Sequence, residues 1–205
     1  MIIVGYQGIG KSTISGYTTS MIDLESGNFW VDGKRNDNWY KVYVNIAEHL
    51  SNQGFIVFLS SHKIVREELN RREVPFAVIC PSLEIKEKWI DKLKSRYEHS
   101  MKDKDFKAWK NAEQYYDENI KDLMSEEICC TIDSANYYLG DFVVKANHEL
   151  YKKGSDNDSS ALSDDQQAGF CDSESVNYCR HNERLHQNEH FEDDVDSKDW
   201  MLEKI

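Results

Sequence analysis

The chain has 205 residues, 40 % of them apolar, and a formal net charge of −12. This length and composition fit one soluble domain with a buried core, and no apolar run approaches the ~18 residues that a membrane span needs. Residues 154–205 hold four Lys/Arg against fourteen Asp/Glu, and residues 1–153 hold twenty-one against twenty-three, so neither part is a basic platform for nucleic acid.

In chain order, "MIIVG" reads as a buried strand ending at Gly5. A short helix from Lys11 to Thr19 follows, and then "MIDLE", a second strand over Met21 to Glu25. Asn36, Asp37 and Asn38 offer caps to a helix in which Val42, Ile46 and Leu50 recur at helical spacing and after which Gly54 stands. "FIVFLSS" is the clearest buried strand. Helical "KIVREELNRR" comes next, followed by the strand "FAVICPS", closed by Pro81. "LEIKEKWIDKLKSRYEHS" and "KDFKAWKNAEQYYDENIKDLM" are long helices, "ICCTID" a last strand and "YLGDFVVKANHELYKK" a last helix. Strands alternating with helices predict an α/β domain over residues 1–153, built on a parallel five-stranded sheet with helices on both faces.

After Lys153 the sequence turns polar and acidic. Such a stretch buries too little apolar surface to offset its ordering entropy, so residues 154–205 are expected to be a mostly disordered tail. Cys171, Cys179, His181, His186 and His190 lie in it without a C-x-x-C pair, which argues against zinc. Five cysteines without a framework spacing, and an N-terminal stretch unlike a signal peptide, predict reduced thiols and a cytoplasmic protein.

The residues with the most specific chemistry come first in the chain. Gly5-Tyr-Gln-Gly8-Ile9-Gly10-Lys11-Ser12 matches G-x-x-x-x-G-K-[ST], after a strand and before a helix. In that context successive backbone N–H groups of Gly5 to Thr13, Gly8, Ile9 and Gly10 among them, can cradle a polyphosphate. Lys11 would reach the terminal phosphates, Ser12 would coordinate Mg²⁺, and Thr13 would assist. On a strand Asp23 and Glu25 point to the same side, at the rim where open α/β sheets bind ligands. Asp23 is therefore the first candidate for metal contact or general base, and Glu25 the second. Ser60 and Ser61 stand where a further acid is expected after "FIVFLSS". Lys63 and Arg66 fall just after that strand. Arg66 suits bidentate capture of an acceptor phosphate or carboxylate, or alternatively a surface ion pair. His62 reads as the residue that starts the helix.

"GYQGIGKST" resembles the G-x-x-G-x-G-K-[ST] variant of small P-loop kinases, the nucleoside-monophosphate kinase and shikimate kinase-like superfamily. The resemblance covers residues 1–150 in layout and implies a three-layer P-loop NTPase fold with the loop on the central strand. It also implies ATP and Mg²⁺ as cofactors and phosphoryl transfer to a small acceptor, with an acid at the end of the second strand meeting that acceptor. The chain looks similar, too, to small phage-encoded P-loop proteins that phosphorylate nucleotides or modified bases in DNA. The resemblance makes "NFWVDGKRNDNWYKVY" the acceptor-binding segment. Its aromatic and cationic residues suit a nucleotide-like acceptor, although Trp39 and Tyr43, four apart, would also pack together in a core. By the same resemblance "KSRYEHSMKDKDFK" is a basic lid, with Lys94, Arg96, Lys102, Lys104 and Lys107, in which Arg96 is favoured for the transferring phosphoryl group. The interleaved acids also fit a plain solvated face.

The expected activity is thus that of an ATP-dependent small-molecule kinase acting on a nucleoside, nucleotide or modified base. Lys11, Asp23, Arg66 and Arg96 are its catalytic candidates. The alternatives are a P-loop NTP hydrolase and a non-catalytic nucleotide-binding module. The acidic tail weighs against polymeric nucleic acid as a partner.

Overall fold

The computed structural model describes residues 1–31 and 34–158. Its elements follow in chain order as β1 (Ile2–Gly5), α1 (Lys11–Tyr17), β2 (Met21–Asp23), β3 (Trp30–Val31), β4 (Lys34–Arg35) and α2 (Trp39–Asn52). Then come β5 (Ile56–Ser60), α3 (Lys63–Arg71), β6 (Phe76–Pro81), α4 (Lys86–Ser100), α5 (Asp103–Met124), β7 (Cys129–Ile132) and α6 (Leu139–Asp158). α6 runs five residues into the expected tail, to Asp158, and the rest of that tail, residues 159–205 with its cysteines and histidines, lies outside the described residues.

β1, β2, β5, β6 and β7 form one five-stranded sheet in the order β2–β5–β1–β6–β7, and every pairing is parallel. Strands of such a sheet are covered on both faces, which is why their sequences are apolar runs rather than alternations. Ile2, Ile3 and Val4 of β1, Val57, Phe58 and Leu59 of β5, and Ala77, Val78, Ile79 and Cys80 of β6 are all buried. α2 packs on β1 and β5 and against α3, while α1 packs against α6. α5 and α6 both cover β6 and β7 and therefore sit on opposite faces, which makes three layers. β1 is the central strand, and the loop after it emerges at the carboxyl edge, where open parallel sheets bind ligands.

The apolar face of α2 differs from the expectation. Val42 is 50 % and Ile46 37 % exposed, while Trp39, Tyr43 and Ala47, one position round the helix, are buried. Both sets have helical spacing. The aromatic pair wins because it removes more apolar area from water, and the Tyr43 hydroxyl reaches strand backbone there: it donates to Leu24 O and accepts from Ser60 N–H at 2.9 Å. Tyr43 thereby ties the carboxyl ends of β2 and β5 together.

Between β2 and α2 the chain forms a 3₁₀ turn over Ser26–Phe29 and a small antiparallel pair in which Trp30 faces Arg35. α4 and α5 make a long helical hairpin, reversed at Met101 (φ 52). Among the described residues no helix is long and apolar enough to cross a membrane.

Candidate functional site

The loop between β1 and α1 is held open by its glycines. Gly8 (φ 85) and Gly10 (φ 96) are left-handed, a conformation that strains any residue carrying a Cβ. Ile9, between them, turns its side chain into the core (1 % exposed), so it contributes backbone and an anchor to the loop. Elements outside the loop brace its outer side. Trp89 of α4 donates its indole N–H to Gln7 O at 3.1 Å, and Tyr137 donates its hydroxyl to Gly8 O at 3.3 Å. The Gln7 amide donates to Ala108 O of α5 at 2.8 Å.

The loop opens onto a cleft of about 640 Å³. Gly5, Gly8, Gly10, Lys11, Ser12 and Thr13 line its floor, with Asp23, Glu25 and Ser26 from the end of β2, and Ser60, Ser61 and His62 from the end of β5. Lys92, Arg96, Lys104 and Asp105 of the α4–α5 hairpin line its far wall. Lys11 Nζ donates to Gly5 O at 2.9 Å and Tyr6 O at 3.3 Å. Burial holds this ammonium below its usual pKa, against the opposing pull of Asp23 and Glu25. A dianionic phosphate group beside it would favour the charged form. Ser12 Oγ donates to Asp23 Oδ2 at 2.6 Å, which brings the two expected magnesium-site residues into contact.

Arg96 lies in the cleft wall, paired with Asp105 at 2.9 Å, and Lys104 reaches Glu25 Oε1 at 3.4 Å across the cleft. Of the other basic residues of the segment, Lys94 pairs with Glu98 and Lys107 with Asp103 along the helices, away from the cleft lining.

Arg66, expected to capture an acceptor, is not among the residues that line the cleft. The residue is only 3 % exposed, and its guanidinium pairs with Asp122 and Glu126 at the end of α5. Guanidinium forks bind carboxylates wherever the fold presents them. Here the fold supplies one carboxylate from the last turn of α5 and one from just beyond it, 56 and 60 residues further along the chain.

One cleft residue escaped the sequence reading. Lys92 lies over the Trp89 and Tyr137 rings, 4.5 and 4.7 Å from their centroids, and donates to Tyr137 Oη at 2.9 Å. Burial and the neighbouring Arg96 charge hold its pKa down. The signal was present: Trp89, Lys92 and Arg96 fall on one helical face at spacings of three and four. His62 precedes α3, as its place after a strand suggested, but its ring also enters the cleft wall. Its Nε2 is 3.3 Å from Ser26 Oγ, and the ring stands edge-on to Trp39. Burial, then Arg35, then Lys11 keep the imidazole pKa below its ordinary value, hence neutral at pH 7.

The aromatic segment is built around a cation. The Arg35 guanidinium lies between the Trp30 and Trp39 rings, 5.0 and 4.3 Å from their centroids, and Nη2 donates to Ser26 O at 3.0 Å. The two indoles that suggested base stacking thus have this gap filled by the chain's own arginine.

No family model matches this chain, and no curated protein matches it either.

Proposed function

We propose that the protein is a small P-loop kinase that binds ATP with Mg²⁺ and transfers the γ-phosphoryl group to a small, nucleotide-like acceptor. The observation that carries this reading is the meeting of the Gly5–Ser12 loop and the Ser12–Asp23 pair at the carboxyl end of the central strand of a parallel sheet. The motif, its strand-and-helix context and the five-stranded sheet also support the resemblance to the nucleoside-monophosphate kinase and shikimate kinase-like superfamily.

Ser12 and Asp23 offer hydroxyl and carboxylate oxygens, the hard donors that magnesium selects. Bound there, the ion would supply charge neutralisation for the transferring phosphoryl group. The loop N–H groups hold the polyphosphate, and Lys11 moves from the loop carbonyls to the terminal phosphates. Lys92 and Arg96 add positive charge from α4 where negative charge develops on the equatorial oxygens. The acceptor oxygen forms its bond to phosphorus as the bond to ADP breaks, and Asp23 or Glu25 orients that oxygen.

The test is phosphate transfer from labelled ATP across nucleosides, nucleotides and hydroxymethylated DNA, with Lys11→Ala as the control. One acceptor class should consume ATP, and the variant should not. Absence of ATP·Mg²⁺ association with folded protein overturns the reading. Acceptor-independent turnover assigns the site to an NTP hydrolase instead. Tight binding without turnover assigns it to a binding module, the alternative favoured by serines in place of an acid at positions 60 and 61.

A further inference from the structure

Asp105 is a buried acid with no part in the chemistry described so far. It is 6 % exposed, stands in the first turn of α5 and lines the phosphate cleft. A carboxylate is rarely buried to this degree unless it is paired. Both of its oxygens are engaged within the hairpin. Oδ1 lies 2.9 Å from Arg96 Nη2 of α4, and Oδ2 accepts from Ser100 Oγ at 2.5 Å. Ser100 Oγ in turn accepts from Lys102 N–H at 3.2 Å, and Asp105 N–H donates to Lys102 O at 3.0 Å. The reversal between the two helices therefore sets where the carboxylate stands. The N-terminal end of a helix also favours a negative side chain in its first turn.

Arg96 is held on one side only. Its side chain is 43 % exposed, and Asp105 is its one acidic partner among the described residues. Arg66 shows the contrast, since two carboxylates occupy a guanidinium that is almost wholly buried. A guanidinium has five N–H donors in a fixed fork, so a single carboxylate leaves most of them for another oxyanion. The charge also reaches the cradle. Burial and then Arg96 hold the Lys92 pKa down, and Arg96 adds to the burial that lowers the Lys11 pKa. Fixing a long side chain before its ligand arrives removes an ordering cost that binding would otherwise carry.

We propose that Asp105 is a positioning residue, which holds Arg96 across the hairpin in the place where it meets the terminal phosphate of bound ATP. The inference rests on the kinase reading for its ligand. It gives the buried acid of the hairpin a task. It also separates Arg96 from Lys94 and Lys107, whose acids lie along their own helices and outside the cleft lining.

Calorimetry on the full chain, with ATP·Mg²⁺ and ADP·Mg²⁺ titrated separately, tests this. Arg96→Met should weaken ATP binding by about tenfold to a hundredfold, the range for losing a charged hydrogen-bonding partner, and leave ADP binding nearly unchanged. Asp105→Asn keeps the shape of the side chain and removes its charge. It should weaken ATP binding by about twofold to tenfold, the cost of ordering a freed arginine on binding, and again spare ADP. Added to Arg96→Met it should weaken ATP binding no further, because the two residues act as one unit. Ser100→Ala frees one carboxylate oxygen and should lower the preference for ATP over ADP in the same direction by less, which gives the same readout if Asp105→Asn does not fold. Tighter ATP binding by Asp105→Asn overturns the proposal, because the carboxylate would then be masking Arg96 rather than presenting it. An equal loss for ATP and ADP overturns it too, as do a loss that adds to that of Arg96→Met and a lowered melting temperature with an unchanged ATP-to-ADP ratio. Failure of ATP·Mg²⁺ to bind wild-type protein overturns the kinase reading itself, whereas binding without the Asp105 effect overturns this inference alone.

Discussion

Replacing Tyr43 by Phe removes one oxygen from the interior and leaves the ring where it is. That oxygen makes two backbone hydrogen bonds, to Leu24 O after β2 and from Ser60 N–H at the end of β5. Tyr43 is 0 % exposed, so solvent is not at hand to replace it. At roughly 1 kcal/mol net per hydrogen bond the loss is about 2 kcal/mol, a substantial part of the roughly 5–15 kcal/mol that holds a domain together. For a domain of this size it corresponds to a melting temperature lower by about 4–8 °C. Urea unfolding of wild-type and variant protein measures the difference directly, with the denaturant slope as a check that the unfolded states match. The same bonds set where Asp23 stands relative to the phosphate loop, so ATP·Mg²⁺ affinity should fall as well. Alkaline titration adds a second signature. Burial pushes the Tyr43 hydroxyl up to about 12 from an ordinary 10.0, so its stabilising effect is complete below pH 10 and disappears as pH rises towards 12. The variant should lose less stability over that window than the wild type. A variant within 0.5 kcal/mol of wild type, roughly the scatter of neutral surface substitutions, would refute the argument that this hydroxyl joins the two strand ends.

Arg66→Ala leaves two carboxylates without their partner and should cost about 3 kcal/mol, while ATP·Mg²⁺ affinity of the folded protein stays unchanged; an acceptor-binding role would show the reverse. Glu68 is held at about 2 by hydrogen bonds from Arg71 and Arg72, so it stabilises the fold above its ordinary value of 4.5, and that contribution is lost as pH falls from there through 2. Acid titration of Glu68→Gln should accordingly show a flatter stability profile across that window than the wild type. Lys92→Met should weaken ATP·Mg²⁺ binding at least tenfold, about one charge-assisted contact, with the thermal midpoint little changed. Removing divalent cations with a chelator should weaken ATP binding to wild type and to Lys92→Met alike, but have a much smaller effect on Asp23→Asn.

The middle of the sheet was legible in the sequence because parallel strands buried on both faces need apolar runs, and β1, β5 and β6 each have one. The shape of the glycine-rich loop was legible because its glycines serve a local backbone conformation. What escaped reading depends on partners remote in the chain. Arg66 sits three residues into a helix whose sequence looks surface-exposed, and only the fold brings Asp122 and Glu126 to it. Trp39 and Tyr43 competed with Val42 and Ile46 for the core on equal spacing, and the outcome turned on a hydroxyl reaching two strand ends. The contact of Arg35 with two indoles could not be read from the sequence, because only the fold brings Trp30 and Trp39 to it.

The bonds from Trp89 to Gln7 and from Gln7 to Ala108 fasten both helices of the hairpin to the glycine-rich loop. A swing of the whole hairpin as one rigid arm would tear those bonds and deform the cradle. On the kinase reading, the displacement that admits and releases nucleotide must bend the arm beyond both bonds, over the stretch between the reversal at Met101 and Ala108, a cantilever of about 10 Å at 1.5 Å per residue. Its root and the cradle behave mechanically as a single piece, so stiffening the outer arm would slow exchange without altering how tightly the cradle grips.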